Sequence, residues 1–149
     1  SAIANGGTLM EPYLIEAVTN YTGTVIEEYR PEEYGKLMTS QEAAQLKDYM
    51  TSVVEDGTAS VLNGQSYTAA GKTGTAEYSS DKEKDHSWFV GMSNVEDPDL
   101  VVCVLVENVG AGSKYAVPIA KRVFDSYYNN NMKEYYSQKT DIESTQTNQ

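Results

Sequence analysis

Gly71-Lys72-Thr73-Gly74-Thr75 gathers an ammonium, two hydroxyls and two gaps in the side-chain row within one short run. In an extended chain Thr73 and Thr75 lie two apart, so their hydroxyls share a face. Lys72 points to the opposite face or is turned by a local bulge. Glycine normally weakens a strand interior, and its use at Gly71 and Gly74 opens room for another backbone or a ligand to come close. A fixed cation, hydroxyl donors and open backbone N–H groups together suit a peptide that ends in a carboxylate. Taken as a bare triplet, Lys-Thr-Gly is weak evidence, and a solvent-facing lysine on a glycine-weakened strand accounts for it.

The elements around this run must hold it as a strand. Three strands are expected, over Tyr67 to Glu77, His86 to Ser93 and Leu100 to Asn108. The polar loop from Ser79 to Asp85 links the first two, and Glu96-Asp97-Pro98-Asp99 links the second pair. Links this short favour antiparallel neighbours, because parallel strands need a longer crossover. Leu100 to Val106 is apolar without alternation, which predicts cover on both faces. One cover is a helix whose stripe is Ala116, Ile119, Ala120, Val123, Phe124 and Tyr127, with Pro118 tolerated in its first turn. The other must come from an earlier helix, N-capped by Ser40 and running to about Glu55, or from protein outside this chain. In that earlier helix Leu46, Tyr49, Met50 and Val53 form the apolar stripe, and Gly57 supplies the stop. The expected fold class is therefore α+β, an antiparallel sheet flanked by helices.

Upstream, Ser1 to Asn5 followed by Gly6-Gly7 reads as a helix end. Pro12 to Thr19 suggests a strand, Asn20-Tyr21-Thr22-Gly23 a turn, and Thr24 to Tyr29 the returning arm of a hairpin. Downstream of Asn129 the composition turns polar, so residues 1–130 are expected to fold and 131–149 to form a disordered tail. The chain has 149 residues and a formal net charge of −11. That charge repels phosphate backbones and argues against nucleic acid and anionic membrane surfaces as partners. Cys103, the sole cysteine, is expected to be a buried small hydrophobe. One histidine, His86, and no cysteine cluster give no expectation of a metal or cofactor. Trp88 and Phe89 point to opposite faces of their strand, and packing is the expected role of both. Glu77 faces a cleft or forms a solvated strand end. The longest apolar run, Leu100 to Val106, is far short of a membrane span.

Lys-Thr-Gly is the third of three boxes in penicillin-binding proteins and serine β-lactamases, beside Ser-x-x-Lys and Ser-x-Asn. The longer run from Ala69 to Glu77 resembles the form found in monofunctional class B penicillin-binding proteins. Ser1 to Gly7 with Glu11-Pro12, then His86 to Gly91, then Val106-Glu107-Asn108, Gly112 and Ala116 to Ala120 resemble other blocks of that family in the right order. The resemblance covers about residues 1–128. It implies the C-terminal portion of the β-lactamase/transpeptidase-like fold. It assigns Lys72 to the substrate carboxylate and the second-box serine, Thr73 and Thr75 to hydrogen bonds with that carboxylate, and the Thr75 N–H to the oxyanion hole. Lys72, Thr73, Gly74 and Thr75 are thus the candidate substrate-binding residues.

The departures are equally plain. Ser79-Ser80-Asp81-Lys82 matches Ser-x-x-Lys but follows the strand in a charged loop, and is taken as a coincidence. No Ser-x-Asn occurs, and Tyr127-Tyr128-Asn129 comes too late to be a variant of that box. With no initiator methionine either, the chain is expected to be a piece that starts downstream of the nucleophile. The resemblance further implies a parent D,D-transpeptidase at the outer face of the bacterial membrane, in a cell-wall synthesis complex, with peptidoglycan stem peptides and β-lactams as ligands. Two other readings compete: a β-lactam-binding sensor on the same fold, and an acidic interaction module with no catalytic ancestry.

Overall fold

A computed structural model describes residues 1–77, 84–129 and 132. The chain divides into two compact units, residues 1–47 and residues 48 onward, with one helix running across the boundary. The polar tail expected from residue 131 lies outside the described residues apart from Met132, as do Ser79 to Lys82.

In the first unit, residues 2–7 form hydrogen-bonded turns rather than a helix. They nevertheless close like a helix end: the Asn5 N–H donates to the Ser1 carbonyl and the Gly7 N–H to the Ala2 carbonyl at 2.8 Å. Gly6 at φ +60° and Gly7 at φ +98° supply the left-handed backbone this closure needs. Two small antiparallel pairs follow. β1 (Thr8–Met10) pairs with β4 (Glu33–Lys36), two strands the sequence did not announce. β2 (Ala17–Thr19) pairs with β3 (Val25–Glu28), the expected hairpin. Its first arm is shorter than expected and excludes Pro12 to Glu16, where proline offers no N–H and Leu14 and Ile15 face solvent. Asn20 makes the turn, its side-chain oxygen accepting from the N–H groups of Thr22 and Thr24, both at 3.0 Å.

Helix α1 spans Ser40–Glu55 as expected, but its N-cap is Thr39. The Thr39 hydroxyl accepts from the Glu42 N–H at 3.2 Å, and the Glu42 carboxylate accepts from the Thr39 N–H at 2.8 Å, a reciprocal capping box. Its inward face also differs. Ala43 and Val54 are buried whereas Leu46 and Tyr49 are exposed, so the stripe lies about one position around the helix from the expected one.

The second unit is a three-stranded antiparallel sheet, β5 (Ala69–Ala76), β6 (His86–Ser93) and β7 (Leu100–Val106), in that order. A short 3-10 turn (Ser60–Leu62) precedes the sheet and helix α2 (Ala116–Asn129) follows it. Phe89, Val102, Leu62, Val117 and Phe124 meet in one apolar core between the sheet and α2. Burial on α2 falls on Ala116, Val117, Ala120 and Phe124, while Ile119 and Val123 of the expected stripe remain exposed. β7 is covered on one face only. Val102 faces the core, but Val101, Cys103 and Leu105 alternate outward and are exposed, which corrects both the two-sided cover and the buried thiol. The uninterrupted apolar run reflects composition, not two-sided packing within this chain.

Candidate substrate-binding strand

β5 pairs with β6 residue for residue, from Ala69 opposite Ser93 to Ala76 opposite His86, with no shift of register. A bulge is thereby excluded. Lys72 lies on the face with Val90 and Cys103, and Thr73 and Thr75 lie on the face with Phe89 and Ser87. Among the described residues β5 pairs with β6 alone, so its other edge keeps unpaired backbone groups.

Each candidate side chain is held by a neighbour. The Lys72 ammonium turns back along the strand and donates to the Thr73 carbonyl at 2.7 Å. That bond uses one of the three N–H donors an ammonium carries. The Thr73 hydroxyl shares a 2.7 Å hydrogen bond with the hydroxyl of Thr58, which stands just beyond α1. The Thr75 hydroxyl accepts from the Gly112 N–H at 3.4 Å, which leaves its own O–H to donate elsewhere. Neither Thr58 nor the bond from Gly112 carried a sequence signal for this strand; both come from loops folded against it.

The two glycines of the run have different causes. A Cβ on Gly71 would stand 2.4 Å from the Phe89 ring, and one on Gly91, its partner across the ladder, 2.6 Å from the same ring. Phe89 therefore lies over two bare backbones, and the gap at Gly71 belongs to the core rather than to a ligand. A Cβ on Gly74 would stand 3.1 Å from the Trp88 Cβ across the ladder. The backbone at Gly74 is in turn what requires glycine at Gly112, whose Cβ would meet the Gly74 carbonyl at 2.5 Å and the Trp88 carbonyl at 2.6 Å. The loop carrying Gly112 is tied down by Ser87, fully buried, which donates to the Ala111 carbonyl at 3.2 Å and accepts from the Ala116 N–H at 3.1 Å. Ser87 thus ends the loop and starts α2 at one atom. His86 accepts from the Asn108 N–H at 3.3 Å through Nδ1, a bond to structure at the strand start. Trp88 and Phe89 do split between faces, Phe89 into the core and Trp88 half-buried opposite it.

Residues 1–125 match the family model of the penicillin-binding protein transpeptidase domain. The chain belongs to that family. It is 34% identical over 146 residues to the peptidoglycan D,D-transpeptidase MrdA of Haemophilus influenzae, covering 85% of this chain and 22% of that protein. It is 33% identical over 130 residues to the peptidoglycan D,D-transpeptidase PbpA of Mycolicibacterium smegmatis, covering 81% of this chain and 26% of that protein. Among solved structures it resembles the D,D-transpeptidase domain of a peptidoglycan glycosyltransferase from Eggerthella lenta. There the TM-score is 0.77 at 33% identity, over 87% of this chain and 30% of that one. The imipenem acyl-enzyme complex of penicillin-binding protein A from M. tuberculosis gives a TM-score of 0.74 at 30% identity, over 85% of this chain and 28% of that one. The transpeptidase-family chain thus spans about a quarter of the curated relatives it matches. Among the described residues no helix is long and apolar enough to cross a membrane.

Proposed function

We propose that this chain forms one wall of the acyl-transfer cleft of a D,D-transpeptidase, with β5 as the strand along which the substrate lies. The observation that carries the reading is the Lys72 ammonium held over the Thr73 carbonyl on an unbulged strand that, among the described residues, pairs on one side only. Lys72 keeps two N–H donors for a terminal carboxylate, while the Thr75 side chain, which leaves the strand on the opposite face, keeps its O–H. In a strand, residues two apart send their backbone groups to the same side. The Thr75 N–H then points the same way as the carbonyl that Lys72 marks, where an oxyanion would sit.

The chemistry divides between this chain and the rest of the parent. A serine outside this chain attacks the carbonyl between two terminal D-alanines of a stem peptide, its proton passing to a lysine base. The C–N bond breaks, the last D-alanine leaves as an amine, and the acyl group stays on the serine. An amine from a second stem peptide attacks that ester, forms the cross-link and frees the serine. A β-lactam follows the first step and stops there. The Thr75 N–H stabilises the oxyanion in both steps, and one such donor contributes about 3 kcal/mol. The parent acts at the extracytoplasmic face of the bacterial membrane as part of a cell-wall synthesis complex.

Labelling with a fluorescent penicillin tests this. Lys72→Ala in the full-length parent is expected to cut the rate of acylation about 10- to 100-fold, the scale of losing a charged contact to the ligand. Acylation at the unaltered rate would sink the assignment. The 149-residue chain alone is expected to show no labelled band on a denaturing gel, since it contains no Ser-x-Asn and its one Ser-x-x-Lys match, Ser79 to Lys82, follows the Lys-Thr-Gly run in sequence instead of preceding it.

A further inference from the structure

The β2–β3 ribbon is exposed at every residue on both of its strands. An isolated two-stranded ribbon is marginal in water and gains stability by packing against something else. Large apolar side chains crowd it: Leu14 and Tyr21 are fully exposed, Ile26 is 68% exposed and Val25 55%. Between Glu11 and Tyr34 stand six glutamates against a single arginine, Arg30, which is itself tied to Glu28 at 3.1 Å. Across the ladder Ala17 faces Glu28 and Val18 faces Glu27, so a carboxylate stands on each face of the ribbon. A surface bound for a protein core would separate apolar from charged residues by face. This one mixes them, in the manner of a docking surface with a charged rim. At its base a cleft of about 400 Å³ is lined by Glu11, Tyr13, Tyr29 and Glu32 together with the Glu28–Arg30 ion pair, which leaves the carboxylates in excess.

We propose that this ribbon is an interaction arm that docks a basic, apolar protein segment. The excess of glutamate selects lysine and arginine on the partner, and the exposed Val25, Ile26 and Tyr21 supply the apolar contact. Anionic lipid is disfavoured by the same charge. With Glu28 held by Arg30, Glu11 and Glu32 are the carboxylates left for the head of a long cationic side chain whose stem lies against Tyr13 and Tyr29.

Fluorescence anisotropy of a labelled octapeptide alternating lysine and valine, titrated with the 149-residue chain, provides the test. Binding is expected, and it should weaken at least about tenfold when salt rises from about 50 mM to about 300 mM. The triple variant Glu27→Gln, Glu28→Gln, Glu32→Gln and the double variant Val25→Ser, Ile26→Ser should each weaken it about tenfold. All five positions are exposed, and circular dichroism of each variant confirms that the fold is kept. A control that removes the same charge elsewhere, Glu96→Gln, Asp97→Asn, Glu107→Gln, should leave binding unchanged. The proposal is overturned by no binding, by equal weakening in the control, by equal affinity for the peptide with glutamate in place of lysine, or by the chain sedimenting with phosphatidylcholine vesicles.

Discussion

Gly71 sets how closely a ring can lie on a strand. The Phe89 ring occupies the space a methyl would need, and Phe89 is fully buried, so it has no free direction in which to retreat. Gly71→Ala is expected to destabilise the chain by about 2 kcal/mol, the usual cost of overpacking a core, read from the midpoint of urea unfolding. Gly112→Ala should cost more, because the atoms it meets are backbone carbonyls. At this scale the sequence was partly legible. Spacing put Thr73 and Thr75 on one face and opened the question of Lys72, which only the register could answer. Two glycines beside a lysine looked alike in sequence. That Gly71 serves Phe89 depends on a ring eighteen positions away, and no local pattern carries such a contact.

Helix ends and side-chain clamps govern the elements. At the start of α1 the bonds from the Thr39 backbone N–H and then its hydroxyl hold the Glu42 carboxyl below its ordinary range. A lowered carboxyl pKa contributes stability above the unfolded value, and that stability is lost as pH falls through the folded one. The advantage of the wild type over Glu42→Gln should therefore be steady near neutrality and shrink as unfolding is followed down through the acid carboxylate range. Thr39→Ala, which removes the cap itself, should lower stability by about 1 kcal/mol at neutral pH. At the other end of the chain, the Tyr128 hydroxyl donates to Asp99 at 2.6 Å and lies 3.0 Å from the Ser93 hydroxyl, pinning α2 to the β6–β7 turn. Burial first, and the Asp99 carboxylate second, push the Tyr128 hydroxyl above the ordinary tyrosine range. Tyr67, stacked on Tyr128 with ring centroids 4.8 Å apart, is raised likewise by burial and by Asp125. Tyr128→Phe should cost about 1 kcal/mol, because it removes the hydroxyl that bonds both the buried Ser93 and the exposed Asp99, and calorimetry would register the loss as a lower Tm. The helices were legible from their periodicity, but their inward faces were less so. Leu46 and Tyr49 satisfy a helical stripe, yet Ala43 and Val54 face inward, since apolar spacing shows that a stripe exists and not what covers it. β1 and β4 went unread because three- and four-residue strands are too short to show a period.

For the molecule as a whole, order of motifs was more informative than any single one. A strand, a second strand opening at His86 and a closing helix at Ala116 stood in family order in the sequence, and the antiparallel sheet with α2 against it reproduces that order. What the sequence could not convey is how much surface this stretch leaves bare. The outward residues of β7, the flank of α2 at Ile119 and Val123, and the β2–β3 ribbon are all exposed apolar ground. Expressed alone, the chain is expected to bind a hydrophobic dye such as ANS strongly while keeping its circular dichroism, and weak dye fluorescence would contradict this account of its surface.

The outward turn of Cys103 gives the chemist a handle. Because the sequence holds a single thiol, a maleimide can attach at one atom only, on the same sheet face as Lys72. A spin label or fluorophore fixed there would stand across one intervening strand from the lysine, near enough to report on the guest proposed for β5 without touching it.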